Sequence, residues 1–162
     1  MSSVVFIGPC GGGKVPQNGA SVKNYHILNF LKERVSNFKL FDTENWRTSP
    51  LILIRIVLYI LFHPKSSYIV SANTYSAYRL FRIFAIFPRK RNIIYWVIGG
   101  GFPSLLINKD LSISPYKKIR LIIVEGDKMK HDLNGLGFEN VITVPNFKHI
   151  SHIPTLENKD DN

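Results

Sequence analysis

Cysteine is almost missing from this chain: Cys10 is the single one in 162 residues. One thiol closes no intrachain disulfide, so the fold must rest on its apolar core, and such sparing use fits a reducing compartment. Metal-ligand patterns are missing as well. His26, His63, His131, His149 and His152 show no H-E-x-x-H spacing and have one cysteine among them, so each reads as structural or solvated. No Ser/His/Asp arrangement is legible. No charged-then-apolar leader opens the chain, whose first residues read as a strand; with a basic surface, this points to the cytoplasm. No apolar run is long enough to span a bilayer. Pro50–Phe62 is apolar apart from Arg55, but its twelve helical residues from Leu51 reach roughly 18 Å, against ~30 Å of hydrocarbon. The segment is expected either to be a helix buried on most sides or to dip into a membrane surface. Ser49 is its expected cap, Pro50 suits its first turn and Pro64 ends it. Acidic residues are scarce, 11 against 21 Lys+Arg, and the resulting +10 favours anionic partners: nucleic acid, anionic lipid or phosphorylated substrates.

What the chain does contain is apolar sequence in strand-length runs. At 45% apolar residues it can build a full core in one domain. Strands are expected at Val4–Gly8, Phe38–Asp42, Ser67–Ser71, Asn92–Ile98, Arg120–Val124 and Asn140–Val144. Helices are expected at Ala20–Val35, Ser49–His63, Asn73–Phe87, Pro103–Asn108 and Lys128–Leu136. Runs such as Ile93-Ile94-Tyr95-Trp96-Val97-Ile98 are apolar on both faces, the mark of a parallel sheet covered on both sides. The fold class is therefore α/β: a doubly wound, mostly parallel sheet with helices on both faces. It occupies residues 1–150, and residues 151–162 read as a polar, solvated tail.

The first strand runs straight into glycines: Gly8-Pro9-Cys10-Gly11-Gly12-Gly13-Lys14-Val15-Pro16-Gln17-Asn18-Gly19-Ala20, with a helix starting near Ser21. A strand, then glycines, then a helix N-terminus is a recipe for holding a phosphate or diphosphate. The spacing G-x-x-x-x-G-K is met from Gly8 to Lys14. Val15 stands where an NTPase loop needs Ser or Thr, and Pro16 holds Val15 extended where the helix should already run. A longer loop that wraps a diphosphate leaves Asn18, Lys23 and Asn24 to contact sugar or phosphate. The plain alternative is a flexible turn.

Other stretches fall at the same expected edge. Gly99-Gly100-Gly101 after a buried strand allows close approach of a ligand, or simply a tight strand exit. Glu125, in Val124-Glu125-Gly126-Asp127, could accept from a sugar hydroxyl or cap the following helix. Tyr75, Tyr78, Arg79, Phe81, Arg82, Phe84, Phe87 and Arg89-Lys90-Arg91 suit a membrane interface, a lipid diphosphate or nucleic acid, or form a core helix with a solvated basic face.

Taken in order, these motifs resemble the N-terminal half of a GT-B glycosyltransferase of the family-4 type found in bacterial polysaccharide biosynthesis. The likeness rests on Gly11 to Asn24, on Ile98-Gly99-Gly100-Gly101, on Val124 to Met129, and above all on Leu136-Gly137-Phe138-Glu139-Asn140-Val141-Ile142-Thr143-Val144-Pro145-Asn146-Phe147. It implies the acceptor-side one of two Rossmann-like domains that face each other across a cleft. By that likeness Gly12, Gly13, Asn18 and Gly19 lie by the donor phosphates, and Lys23, Gly100 and Glu125 lie by the acceptor. The implied partners are a nucleotide-sugar donor, which is a substrate rather than a bound cofactor, and a lipid-linked saccharide or polysaccharide acceptor. Contact with the inner face of the plasma membrane also follows, and nucleic acid is not implied. No tightly bound metal is implied, and no catalytic residue can be assigned. Gly99-Gly100-Gly101-Phe102-Pro103 lacks the histidine that many relatives carry after the fourth strand. The sequence reaches only a little beyond Asn146, without the donor-binding half; a truncated product, a split enzyme whose partner supplies that half and an excised domain are the open readings, and this chain alone is expected to transfer no sugar. A P-loop-like nucleotide hydrolase, or a non-catalytic module binding nucleic acid or membrane, is the competing expectation.

Overall fold

The computed structural model describes residues 3–86 and 92–145. The sequence readings at Phe87, Arg89–Arg91, Asn146–Lys148, His149, His152 and residues 151–162 lie outside them. Six strands form one sheet: β1 (Val4–Gly8), β2 (Phe38–Asp42), β3 (Ser67–Val70), β4 (Asn92–Trp96), β5 (Leu121–Val124) and β6 (Val141–Thr143). Its spatial order is β2-β1-β3-β4-β5-β6. Every pairing is parallel. The helices between them are α1 (Gly19–Arg34), α2 (Leu51–Phe62), α3 (Thr74–Ile86), α4 (Phe102–Ile107) and α5 (Asp127–Gly135). The chain has an α/β, doubly wound, Rossmann-like fold, as the runs apolar on both faces require. A short 3-10 turn at Tyr116–Lys118 is an addition that the apolar pattern does not announce.

Alternate residues of each strand feed two cores. Val5, Ile7, Tyr68, Val70, Ile93 and Tyr95 pack with α2, α3, α4 and α5. Phe6 and Ile69 point the other way and pack with Ile27 and Leu28 of α1. The first crossover turns back from β1 to β2 and puts α1 on one face. The later crossovers advance the other way, and their helices lie on the opposite face, as the uniform hand of parallel connections demands. On that side Phe81, Tyr95, Phe102 and Tyr116 form a cluster of rings with centroids 4.9–5.4 Å apart along its successive contacts. Burial pushes the Tyr95 and Tyr116 phenols well above their usual range.

Asn18 caps α1, which starts within one residue of the expected position: its side chain accepts from Ser21 N–H at 2.9 Å. Two expectations for α2 need correcting. Ser49 does not cap α2. Pro50 holds the cap position in a helical conformation (φ −65°, ψ −15°) and no side chain reaches the first amides. Nor is α2 buried on most sides. Ile56 and Ile60 are buried, whereas Leu51, Leu53, Ile54, Leu58, Leu61 and Phe62 are exposed. Among the described residues no helix is long and apolar enough to cross a membrane.

Candidate functional site at the carboxyl rim of the sheet

Strand register aligns the strand ends. Gly8 lies opposite Asp42, and Val70 is paired with both Ile7 and Tyr95, so the loops after β1, β2, β3 and β4 leave from one edge. Strand order reverses between β1 and β3, and a crevice at such a reversal is where open parallel sheets hold their ligands. A cleft of about 350 Å³ lies at this place. It is bounded by the glycine loop and the start of α1, by the β2–α2 connection, and by α2 and α3.

The glycine loop is held from below. Gly11, Gly12 and Gly13 all have positive φ (99°, 61° and 82°), and Lys14 N–H donates to Gly11 O at 3.1 Å. Two central residues of positive φ make a primed turn that glycine adopts without strain. The successive amides of this loop do bind an anion, as such a concave run of N–H groups should, but the anion belongs to the chain. Asp42 Oδ1 accepts from Cys10 N–H at 2.9 Å and Oδ2 from Gly12 N–H at 2.8 Å. Glu44 Oε2 accepts from Gly11 N–H at 3.2 Å, and Oε1 from the Asn18 side-chain amide at 2.9 Å. Among the described residues nothing accepts from the N–H groups of Gly13, Gly19 and Ala20. Those of Gly19 and Ala20 open α1, where the helix dipole favours a negative guest.

Asn24, expected to face a sugar or phosphate, is instead fully buried. Its amide donates to Pro9 O at 2.8 Å and Ser71 O at 3.0 Å, and its oxygen accepts from the Ser71 hydroxyl at 2.6 Å. This network ties α1 and the glycine loop to the end of β3, where the backbones are so close that a Cβ on Gly8 would meet Ser71 O at 2.2 Å. Cys10, beside the same loop, is buried near Asp42 and Glu44; burial first, then their negative charge, pushes its thiol up to about 12.

Further along the rim Lys23 reaches from α1 to the ends of β4 and β5. Its ammonium donates to Glu125 Oε1 at 2.5 Å and to Val97 O at 3.2 Å, and lies 5.9 Å from the centre of the Trp96 ring. Glu125 therefore pairs with Lys23; Gly126 is the N-cap of α5, which no side chain caps. Gly100 is exposed in the turn that leaves β4, beside a bridge between Asn73 and Ile98.

Thus the structure unites Lys23 with Glu125, places Asn18 on the lining of the cleft and makes Gly19 the first residue of α1. Gly12 and Gly13 are exposed at the tip of the loop, on the β2 side. In α3, Tyr75, Arg79 and Arg82 are exposed while Phe81 and Phe84 are core, so this helix has a solvated basic face. Asn73 lines the cleft, at the rim where the stretch Ser71-Ala72-Asn73 is expected; Asp42, Glu44 and Arg79 were not singled out for the rim by their sequence context, yet they shape it. Lys14 is exposed and α1 starts only at Gly19; an NTPase loop would need the helix to begin beside the lysine. Among the described residues no three His, Cys, Asp or Glu side chains are gathered as a metal site needs. Comparison with known proteins gives no match: no family model, no curated protein and no solved structure aligns with this chain.

Proposed function

We propose that this chain is the acceptor-binding, N-terminal domain of a GT-B, family-4-type glycosyltransferase. It would serve polysaccharide assembly at the cytoplasmic face of a membrane and act together with a donor-binding domain. The observation that carries the reading is the cleft at the strand-order reversal, lined in part by the start of α1, with the Lys23–Glu125 pair farther along the same rim at the ends of β4 and β5. The order of glycine and acidic motifs along the sequence supports it, as does the +10 charge. Asn18, Gly19 and the glycine loop at Gly12 and Gly13 would approach the donor diphosphate. The amides of Gly13 and Gly19, which no acceptor among the described residues occupies, would offset the charge that builds on the leaving group. Lys23, Gly100 and Glu125 would hold acceptor hydroxyls and phosphate. The donor nucleotide sugar comes to the site as substrate.

The test is a nuclear magnetic resonance titration of isotope-labelled chain with a short-chain polyprenyl diphosphate disaccharide. Amide shifts are expected at Lys23, Gly100 and Glu125, with none from magnesium ATP. Shifts with magnesium ATP centred on Lys14, and silence with the saccharide at saturation, would replace the reading with nucleotide hydrolysis.

A further inference from the structure

We propose that the cleft between α2 and α3 is a binding site for a single lipid chain that carries a phosphate. This deepens the acceptor reading and rests on it. The floor is apolar: Ile7 and Val70 from the strands, Ile56 and Val57 from α2, Leu80 and Ile83 from α3. Its volume, about 350 Å³, falls in the ~300–1,000 Å³ range of small-ligand sites. Water gains little from a wall of aliphatic side chains, and an apolar guest gains the full benefit of leaving solvent.

The mouth has a different character. Asn73, Ser76 and Arg79 line it from the start of α3, and Asn18 and Ala20 from the start of α1. Among the described residues Arg79 makes no ion pair. The one carboxylate on the lining, Glu44, is already engaged by Gly11 N–H and Asn18. A guest with an aliphatic tail and a phosphate head matches both zones at once: tail on the floor, head at Arg79. A free sugar phosphate would leave the floor wet, and a neutral hydrocarbon would leave the arginine unused.

The route of entry is on the page as well. Leu53 lines the cleft and is also 41% exposed, and Leu51, Ile54, Leu58, Leu61 and Phe62 are exposed on the outer side of α2. On the helix Leu53 and Val57 stand between the floor of the cleft and that outer side. Arg47, Arg55 and Lys65 are exposed on and around α2, which suits an anionic bilayer as the reservoir from which the chain is drawn.

The experiment uses farnesyl phosphate below its micellar concentration, with farnesol and inorganic phosphate as separate arms, each titrated by calorimetry. Farnesyl phosphate is expected to bind, farnesol roughly tenfold more weakly, and inorganic phosphate not measurably. Val57→Trp and Leu80→Trp fill the floor from opposite helices and are expected to abolish binding of both farnesyl probes. Arg79→Met is expected to weaken farnesyl phosphate roughly tenfold and leave farnesol unchanged. Urea midpoints confirm that each variant is folded; should one tryptophan variant fail to fold, the other and Arg79→Met decide. Unchanged binding in the folded variants, equal affinity for inorganic phosphate, or no binding of farnesyl phosphate overturns the proposal. If farnesyl phosphate binds but the polyprenyl disaccharide leaves Lys23, Gly100 and Glu125 unmoved, the lipid site stands and the transferase reading falls. The opposite pattern leaves the transferase reading and removes the lipid site.

Discussion

Gly8 and Cys10 show how the rim depends on single atoms. A methyl group on Gly8 has nowhere to go, because Ser71 O and the Asn24 amide are 2.2 and 2.9 Å from its position. Gly8→Ala must push β3 away or break a buried hydrogen-bond network, so a loss of about 3 kcal/mol is expected in urea unfolding. Gly19→Ala is the contrast: its Cβ meets nothing within 4 Å, and alanine is the better helix former, so stability should hold or rise slightly. Cys10 gives a pH signature. Its thiol rises from an ordinary 9.0 to about 12 in the folded chain. Between those values the unfolded chain releases a proton that the native one keeps, so this contribution is complete below pH 9 and is lost as pH climbs toward 12. The slope reaches at most about 1.4 kcal/mol per unit. Urea midpoints of Cys10→Ala should fall less steeply with pH in that window. Because the chain has one cysteine, thiol labelling reads the same site: slow in buffer and fast in urea.

Elements join at the rim through few bonds. The Lys23–Glu125 pair links α1 to the end of β5, and its side chains keep only 12% and 26% of their surface exposed. Lys23→Met leaves a mostly covered carboxylate without its ammonium, at a cost of roughly 2 kcal/mol. Adding Glu125→Leu should cost less than the two single changes together, which a double-mutant cycle in urea would measure. Helix α2 makes a prediction of its own. Leu58→Asp and Phe62→Asp remove apolar surface from its outer side, away from buried Ile56 and Ile60. Both should leave the urea midpoint nearly unchanged and weaken flotation with anionic vesicles. Wild-type flotation should also decline with added salt.

How far these elements were legible in the sequence follows from their physics. Strands apolar on both faces and glycines past their ends disclosed the parallel sheet, and its rim with it. The buried stripe of α1 begins with Ser21 and Asn24 before Ile27 and Leu28. Two polar residues at its head make a core face look like a solvent face, and Asn24 was misread for that reason. Asp42 and Glu44 reach the glycine loop only because β1 and β2 pair with Gly8 opposite Asp42, a register the sequence does not state. Arg79 belongs to the cleft only once α2 and α3 are set side by side. The exposure of α2 was equally hidden, since a helix apolar nearly all round gives no sign of which side remains uncovered.

For the whole molecule the account is one of asymmetry. Most crossovers lay their helices on one face, the strand ends gather glycine, amide and charged groups on one edge, and among the described residues six exposed apolar side chains sit together on α2 beside the cleft. The chain as a whole carries a net charge of +10. That distribution suits a molecule that rests against an anionic bilayer and draws a phosphorylated lipid toward a rim where a sugar could be delivered. The most direct measurement is photo-crosslinking with a lipid-linked saccharide whose sugar carries a diazirine, followed by mass spectrometry of the labelled peptides. The account predicts labels near Lys23, Gly99–Gly101 and Glu125, suppressed by unlabelled saccharide. Labels at the opposite edge of the sheet, near Asn37, Ser66 or Arg120, would contradict it.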